Sequence, residues 1–224
     1  MKALTVVHQA DAGPGVFAEA LRDAGWEAAG SSGDADAVLI FGGSAHPDQD
    51  AVHPELAAER DLLADCLDRG VPVLAVCLGA QLLAQAAGGA ARRASEPEIG
   101  WHPVAVAAAG AADPVLSPLA PEFEAFGWHS YECLLPPAAV VLARSPVCVQ
   151  AYRIGPCAWG IQFHAEVSRA DALSWIEDYA ADPDAVAAGV DPIALRAATE
   201  PRIVAWNETG RALCRRFLQA AAAG

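Results

Sequence analysis

The sequence predicts an α/β fold: a mainly parallel open sheet flanked by helices in a flavodoxin-like three-layer arrangement, with an antiparallel extension and a C-terminal helical tail. Three observations predict it. Apolar runs alternate with helix-like segments in the first part of the chain, short strand-like runs then follow one another, and helical spacing returns near the C-terminus. Strands that alternate with helices pair in parallel through right-handed crossovers, so such a sheet is covered on both faces. With 224 residues, 54% of them hydrophobic, the chain is long enough to bury one sizeable core.

The parallel part is predicted from six segments of the N-terminal region. Short apolar runs bounded by turn residues are typical of buried strands, and apolar residues at helical spacing are typical of amphipathic helices. Strand and helix alternate, in chain order, through "ALTVVH", "PGVFAEALRDAG", "DAVLIFGG", "PELAAERDLLADCLDRG", "VPVLAVC" and "GAQLLAQAAGG". The first helix is expected to close at Gly25.

The antiparallel extension is predicted from short strands with turn residues between them. They are "GWHPVAVAA", "FEAFGWHSYE", "AVVLARS", "CVQAYRIG" and "CAWGIQFH". Helix returns in "SRADALSWIEDYAA", with Ser168 as its expected N-cap. Beyond it, two Asp-Pro pairs indicate helix starts before a long final helix. We therefore predict a main domain over residues 1–181 and a helical C-terminal extension, 182–224, packed on its core.

Charge and hydropathy exclude several classes of function. The formal net charge is −14 and the isoelectric point is about 4.6, so the long-range field repels nucleic acids and anionic membrane surfaces. No apolar run approaches the roughly 18 to 20 residues that a bilayer requires, and the N-terminal apolar run is too short for a signal peptide. The sequence therefore predicts a cytoplasmic protein with neither a nucleic acid nor a membrane as partner.

Six cysteines bear on metal and redox chemistry: Cys66, Cys77, Cys133, Cys148, Cys157 and Cys214. They form no C-x-x-C pair and no Cys/His pattern at zinc spacing, so neither a metal nor another cofactor is predicted. Most are expected to be buried thiols in a reducing compartment.

Cys77 differs from the others because it lies where a strand turns into a helix. Small residues nearby, Ala75 and Gly79, favour a tight turn around an exposed nucleophile. A helix N-terminus favours the thiolate form of a cysteine, and the backbone N–H of Leu78 would face an oxyanion formed there. The alternative is that Cys77 is only a packed core residue.

Two further patterns supply groups that a nucleophilic cysteine requires. His164 and Glu166 are two residues apart, so on an extended segment both side chains emerge on one side, where the carboxylate orients the imidazole. Gly42 and Gly43 end another strand, where they either form a simple turn or permit the close backbone approach of an oxyanion donor.

Together these residues resemble the class I (triad-type) glutamine amidotransferases. The segments "FGGSAH", "AVCLGAQ" and "HAE" follow the family's order, and the similarity spans roughly residues 2 to 180, with stand-alone domains similar to the amidotransferase half of GMP synthetase the nearest group. Two positions depart from the family pattern: Ala75 stands where the family has glycine, and Ser44 stands where proline is frequent.

The resemblance implies a role for each site residue. The nucleophile would be Cys77, the general base and acid His164, and the residue that orients the imidazole Glu166. The oxyanion donors would come from Gly42, Gly43 and Leu78. Substrate contacts would come from Gln81, Ser130 and Tyr131.

The implied reaction is hydrolysis of L-glutamine to glutamate and ammonia through a γ-glutamyl thioester. Three interpretations follow. The protein is a glutaminase subunit that passes ammonia to a separate synthetase subunit, or a free-standing hydrolase of γ-glutamyl amides or peptides, or a binding module without chemistry. The third is disfavoured because such a module has no need for thiol, base and orienting carboxylate together. The sequence leaves the ammonia acceptor and the oligomeric state open.

Overall fold

A nine-stranded mixed sheet forms the centre of the molecule. The structure, a computed structural model, describes residues 1–223. Its strand order is β2-β1-β3-β4-β9-β8-β7-β5-β6. The strands are β1 (Lys2–Val6), β2 (Glu27–Ala28), β3 (Ala37–Ile40), β4 (Val73–Val76), β5 (Ala90–Val106), β6 (Glu122–Leu134), β7 (Val140–Arg144), β8 (Val149–Ile154) and β9 (Ala158–Ile161). The five strands from β2 to β9 pair in parallel and the remaining pairs are antiparallel, which confirms the predicted fold class.

Helices cover the sheet and follow the predicted order. They are α1 (Gly15–Asp23), α2 (Glu55–Arg69), α3 (Leu78–Ala86), α4 (Ala108–Ala111), α5 (Arg169–Glu177), α6 (Pro183–Ala187), α7 (Pro192–Thr199) and α8 (Ile203–Ala223). Gly25 follows α1 with a φ of 70°, a left-handed conformation that glycine adopts at little cost. Ser168 caps α5 by accepting a hydrogen bond from the backbone N–H of Asp171, as predicted.

Alternating side chains explain why two cores form. Every residue of β3 and β4 is buried, as expected for strands covered on both faces. Val38 and Ile40 pack with α2 and α3, whereas Leu39 and Phe41 pack with α1 and α8 on the opposite face. Successive side chains of a strand point to opposite faces, so one apolar run supplies both cores.

The antiparallel extension begins earlier than the sequence predicts. Strand β5 starts at Ala90, ten positions before the predicted segment at Gly100, and its register with β6 shifts between Arg93 and Glu98. This irregularity interrupts the apolar pattern, which explains why the first half of β5 carries no strand signal. The two-residue strand β2 was not predicted because both of its residues are exposed.

The C-terminal helices pack on the rest of the chain. Ile203, Trp206 and Phe217 of α8 are buried in the same cluster as Phe17 of α1. The predicted domain boundary between residues 181 and 182 stays a prediction. Within the described residues, no helix is both long and apolar enough to cross a membrane.

Candidate active site

Three neighbouring parallel strands end at the same edge of the sheet and carry the predicted motifs there. Strand β4 pairs with β3 on one side and with β9 on the other. The Gly42-Gly43 pair follows β3, Cys77 follows β4 directly, and His164 lies three residues after β9. Carboxyl ends of parallel strands are the usual location of sites in open α/β sheets.

Cys77 occupies the sharp turn between β4 and α3. Its φ is 52° and its ψ is −110°, and it is the one residue other than glycine with a positive φ among positions 1–223. Such a backbone costs about 1–3 kcal/mol and persists only where the surrounding structure imposes it. The backbone N–H of Cys77 donates to the carbonyl of Ile161 at 2.8 Å, and the side-chain sulfur lies 3.8 Å from the carbonyl oxygen of Trp128.

His164 and Glu166 form a buried pair beside this turn. Nδ1 of His164 lies 2.6 Å from Oε1 of Glu166, although His164 lies in irregular backbone and Glu166 in a bend rather than in the extended segment that we expected. Burial lowers the pKa of His164. The Glu166 carboxylate and the Cys77 sulfur raise this pKa by a larger amount, so the net pKa lies well above its ordinary value. Both interactions favour the protonated imidazolium form of His164.

Two tryptophans fix the position of His164. The indole of Trp175 contacts the imidazole edge-on, with ring centroids 4.8 Å apart. Nε1 of Trp206 donates a 2.8 Å hydrogen bond to the His164 carbonyl oxygen.

The missing side chain of Gly42 leaves room for the thiol and the imidazole to face each other. A Cβ added at Gly42 would lie 3.1 Å from Cε1 of His164 and 3.9 Å from Sγ of Cys77. The Gly42 carbonyl contacts Nδ1 of His8 at 2.9 Å, and Nε2 of that ring lies 2.8 Å from Glu59. Residue spacing gives no sign of this contact, because Glu59 lies 51 residues after His8.

The predicted oxyanion donors besides Gly42 are the backbone N–H groups of Leu78 and Gly43. Leu78 is the first residue of α3, and the first N–H groups of a helix have no partner within it. Gly43 lines the same cavity as Cys77. A Cβ added at Gly43 would lie 2.8 Å from Cβ of His8, so this position also requires glycine.

A cavity of about 860 Å³ opens above Cys77 and His164. The predicted substrate contacts Gln81, Ser130 and Tyr131 all line it. Nε2 of Gln81 lies 3.3 Å from both the Tyr131 carbonyl oxygen and Oε1 of Gln162. The side-chain amide of Gln81 therefore already donates hydrogen bonds within the protein.

Several residues of the cavity wall were not predicted as site residues. His46 stacks on Tyr131 with centroids 4.7 Å apart, and Asp48 accepts from the Tyr131 hydroxyl at 3.1 Å. Trp128 also lines the cavity, whereas Trp101 packs on Phe126 outside it.

The segment from Asp178 to Asp184 also reaches the cavity. Asp182 accepts a 2.8 Å hydrogen bond from Nε1 of Trp128, and Asp184 pairs with Arg93. The Asp-Pro pattern at residue 182 predicted a helix start, and the sequence held no signal that this start would lie over the site.

A buried polar cluster joins β5 and β6 to β8 and to the turn before β8. Oε2 of Glu98 accepts from Gln150 at 2.7 Å, from Ser145 at 3.0 Å and from Cys148 at 3.3 Å, and lies 3.4 Å from Nε2 of His129. Glu98, His129 and Cys148 thus bring three potential metal-ligand atoms within 4.8 Å of one another, a grouping that cysteine spacing did not suggest.

Comparisons with known proteins identify the family of the chain. The sequence model of the family described as Glutamine amidotransferase class-I matches residues 21–179. One subunit of a glutamine-hydrolyzing GMP synthase from Natronomonas pharaonis is 33% identical over 142 residues, 62% of this chain and 70% of that protein. A gamma-glutamyl-L-1-hydroxyisopropylamide hydrolase from Pseudomonas is 28% identical over 154 residues, 65% of this chain and 52% of that protein.

A solved structure agrees on the fold. A glutamine amidotransferase from Thermotoga maritima superposes with a TM-score of 0.85 over 98% of each chain, at 24% identity. At that identity the likeness establishes the fold alone. The superposed part of the chain includes the C-terminal helices.

Proposed function

The chain belongs to the class-I glutamine amidotransferase family, and on that premise we propose that it hydrolyses the side-chain amide of L-glutamine to glutamate and ammonia through a γ-glutamyl thioester. The observation that carries the proposal is the meeting of Cys77, His164 and Glu166 at one end of the cavity, with Cys77 in a strained turn. A nucleophile, a base and a group that orients the base are what thioester chemistry requires.

In the first half of the reaction, the Cys77 sulfur attacks the amide carbon and forms the C–S bond. The carbonyl electron pair moves to oxygen, which the N–H groups of Leu78 and of the Gly42-Gly43 loop would stabilise. The His164 imidazolium then donates its proton to the amide nitrogen, the C–N bond breaks, and ammonia leaves. The raised pKa of His164 supports this step because the proton is in place before attack.

In the second half, water attacks the thioester while neutral His164 accepts its proton. The C–S bond breaks, the sulfur recovers its electron pair, and glutamate is released. Glu166 keeps Nε2 of the ring available for both transfers by occupying Nδ1 at 2.6 Å.

Ammonia transfer to a separate synthetase subunit is part of the proposal. One relative is named as a subunit of a GMP synthase, and the support for this chain is that similarity alone. The measurement that addresses it is glutamine hydrolysis by the purified chain with and without co-purified proteins.

A free-standing γ-glutamyl amide hydrolase is the second candidate, and one observation favours it. The cavity of about 860 Å³ lies within the range that accommodates drug-sized ligands, so it has room beyond glutamine itself. The Pseudomonas relative is named as a hydrolase of a γ-glutamyl amide. Robust turnover of γ-glutamyl alkylamides by the chain alone would favour this candidate over the first.

The test of the common mechanism is removal of the sulfur. We expect Cys77→Ala to lower kcat for L-glutamine by at least about 10⁴-fold, as loss of a catalytic nucleophile does elsewhere. Cys157→Ala, which changes a partly exposed cysteine outside the cavity, is the matched control and should keep full activity. Unchanged turnover by Cys77→Ala would refute the mechanism.

A further inference from the structure

An ion pair lies in the wall of the cavity and joins two distant parts of the chain. Nη2 of Arg93, on β5, lies 3.0 and 3.2 Å from the two carboxylate oxygens of Asp184, on α6. Both residues line the cavity. The Arg93 side chain is 57% exposed and the Asp184 side chain 16%, and ion pairs with a solvent-exposed partner contribute little to stability. A contribution to folding is therefore a weak explanation for the pair.

Strand β6 leads from the reacting sulfur to the pair. Sγ of Cys77 lies 3.8 Å from the Trp128 carbonyl oxygen on β6. Ser130 is two residues further along this strand, about 6.6 Å away. Tyr131, the next residue, is the register partner of Arg93, and the hydroxyl of Ser130 faces Asp184 and helps to keep the pKa of that carboxylate low against the effect of burial.

The free end of a γ-glutamyl group would reach the same level. In attack, the amide carbon lies about 3–3.5 Å from the nucleophile. Three C–C bonds of about 1.5 Å then carry the α-carbon about 4 Å further. The α-ammonium and α-carboxylate groups thus extend to the region of Ser130, Arg93 and Asp184.

We propose that Arg93 binds the α-carboxylate and Asp184 binds the α-ammonium group of the substrate, a pairing that rests on the function proposed above for the same cavity. A guanidinium binds a carboxylate through two parallel N–H donors, and a carboxylate is the natural partner of an ammonium group. When the substrate binds, the Arg93–Asp184 ion pair separates, and each side chain forms an ion pair with one charged group of the substrate. Amides that lack either charged group are then poor substrates.

Other side chains of the cavity wall lie close to Asp184 and Arg93. Nε2 of His46 lies 3.9 Å from Asp184, and the Asp48 carboxylate is held by the Tyr131 hydroxyl on the same wall. The guanidinium of Arg93 lies 5.4 Å from the centre of the Tyr131 ring, which limits its movement when the ion pair separates.

The test compares kcat/KM for three amides in Arg93→Gln and Asp184→Asn variants. The amides are L-glutamine, 5-amino-5-oxopentanoate, which lacks the α-amino group, and 4-aminobutanamide, which lacks the α-carboxylate. Asp184→Asn should lower kcat/KM about 10- to 100-fold for the two amides that carry the amino group and leave 5-amino-5-oxopentanoate unchanged. Arg93→Gln should spare only 4-aminobutanamide.

Arg92→Gln is the matched control, because Arg92 is the adjacent residue and pairs with Glu132 rather than lining the cavity. It should leave all three substrates within about 2-fold of wild type. Equal losses for all three amides in Arg93→Gln and Asp184→Asn, or no loss, would overturn the assignment because a structural role has no substrate preference.

Failure of the proposed function gives a different result. In that case the wild-type protein releases ammonia from none of the amides. The roles of Arg93 and Asp184 are then tested by ligand binding, measured as protection of Cys77 from alkylation. L-glutamate should slow alkylation of Cys77 by iodoacetamide in the wild type, glutarate and 4-aminobutyrate should slow it much less, and Asp184→Asn should remove the advantage of L-glutamate. Equal protection by the three acids would overturn the assignment on its own.

Discussion

The indole of Trp206 donates a 2.8 Å hydrogen bond to the backbone carbonyl oxygen of His164, 42 residues earlier in the chain. One turn further along α8, a Cβ added at Gly210 would overlap the carbonyl oxygen of Ala165. The long final helix therefore lies directly against the loop that carries His164 and Glu166. It supports the position of the imidazole from the side opposite to the cavity.

Trp206→Phe tests this support. The ring remains, but the His164 carbonyl loses its buried donor, so we expect a loss of about 1–3 kcal/mol in the free energy of unfolding. We also expect a several-fold lower kcat at temperatures where the variant is folded. Trp159→Phe is the control, since it loses a buried hydrogen bond to Asp113 away from the site and should lose stability without losing kcat. Equal kcat values in the two variants would contradict the positioning role of Trp206.

Gly42→Ala tests the approach of the thiol and the imidazole. The new methyl group would lie 3.1 Å from Cε1 of His164, tighter than ordinary contact, and 3.4 Å from Cβ of Cys77. The ring must move by a few tenths of an ångström. Because a misplacement of about 1 Å costs on the order of 10²-fold in rate, we expect a loss of about 3- to 10-fold. Gly30→Ala adds the same methyl group where no atom lies within 4 Å and should leave the rate unchanged. Thermal unfolding of both variants separates this effect from a loss of folding, and wild-type activity in Gly42→Ala would exclude it.

Glu166→Gln should change the pH dependence of the reaction. The Glu166 carboxylate holds the pKa of His164 above its ordinary value, so the active imidazolium persists until pH rises through that raised pKa. Removing the charge lowers the pKa of His164, and the alkaline limb of the kcat/KM profile should move to lower pH by about 1–3 units. The rate near neutral pH should fall without being abolished.

The control for this variant is Glu55→Gln, which removes the carboxylate beside the half-exposed His53. Its pH profile should match that of the wild type. An alkaline limb that does not move in Glu166→Gln would mean that another group titrates there.

Alkylation should distinguish Cys77 from the other five cysteines. Burial raises the pKa of Cys66 to about 11 and that of Cys214 to about 12, and it also raises the pKa values of Cys133, Cys148 and Cys157. Only a thiolate reacts with iodoacetamide, so peptide mapping after brief treatment near neutral pH should find the label at Cys77. Equal labelling of all six would support the binding-module interpretation instead.

The sequence predicted the elements whose signals are local. Apolar runs such as that of β4 indicate a buried strand, and the turn at Cys77 follows from its small neighbours. The site roles of Gly42 and His164 were predicted from the family resemblance of the segments that contain them. All of these features depend on short stretches of chain.

What the sequence could not predict depends on how distant segments meet. Asp184 reaches the cavity only because the chain after α5 folds back over it, and its partner Arg93 lies 91 residues away. Glu98 and His129 meet because β5 and β6 pair in one register out of several that the sequence allows. A contact between a carboxylate and a residue far away along the chain cannot be predicted from residue spacing.

The dependence of the His164 loop on α8 has a consequence for biosynthesis. Translation at about 5–20 residues per second separates His164 from Trp206, 42 residues later, by about 2–8 s. Throughout that interval the growing polypeptide already contains its thiol, imidazole and carboxylate but lacks the helix that holds the imidazole in place. A ribosome-bound intermediate in that interval therefore lacks the hydrogen bond that Trp206 donates to the His164 carbonyl.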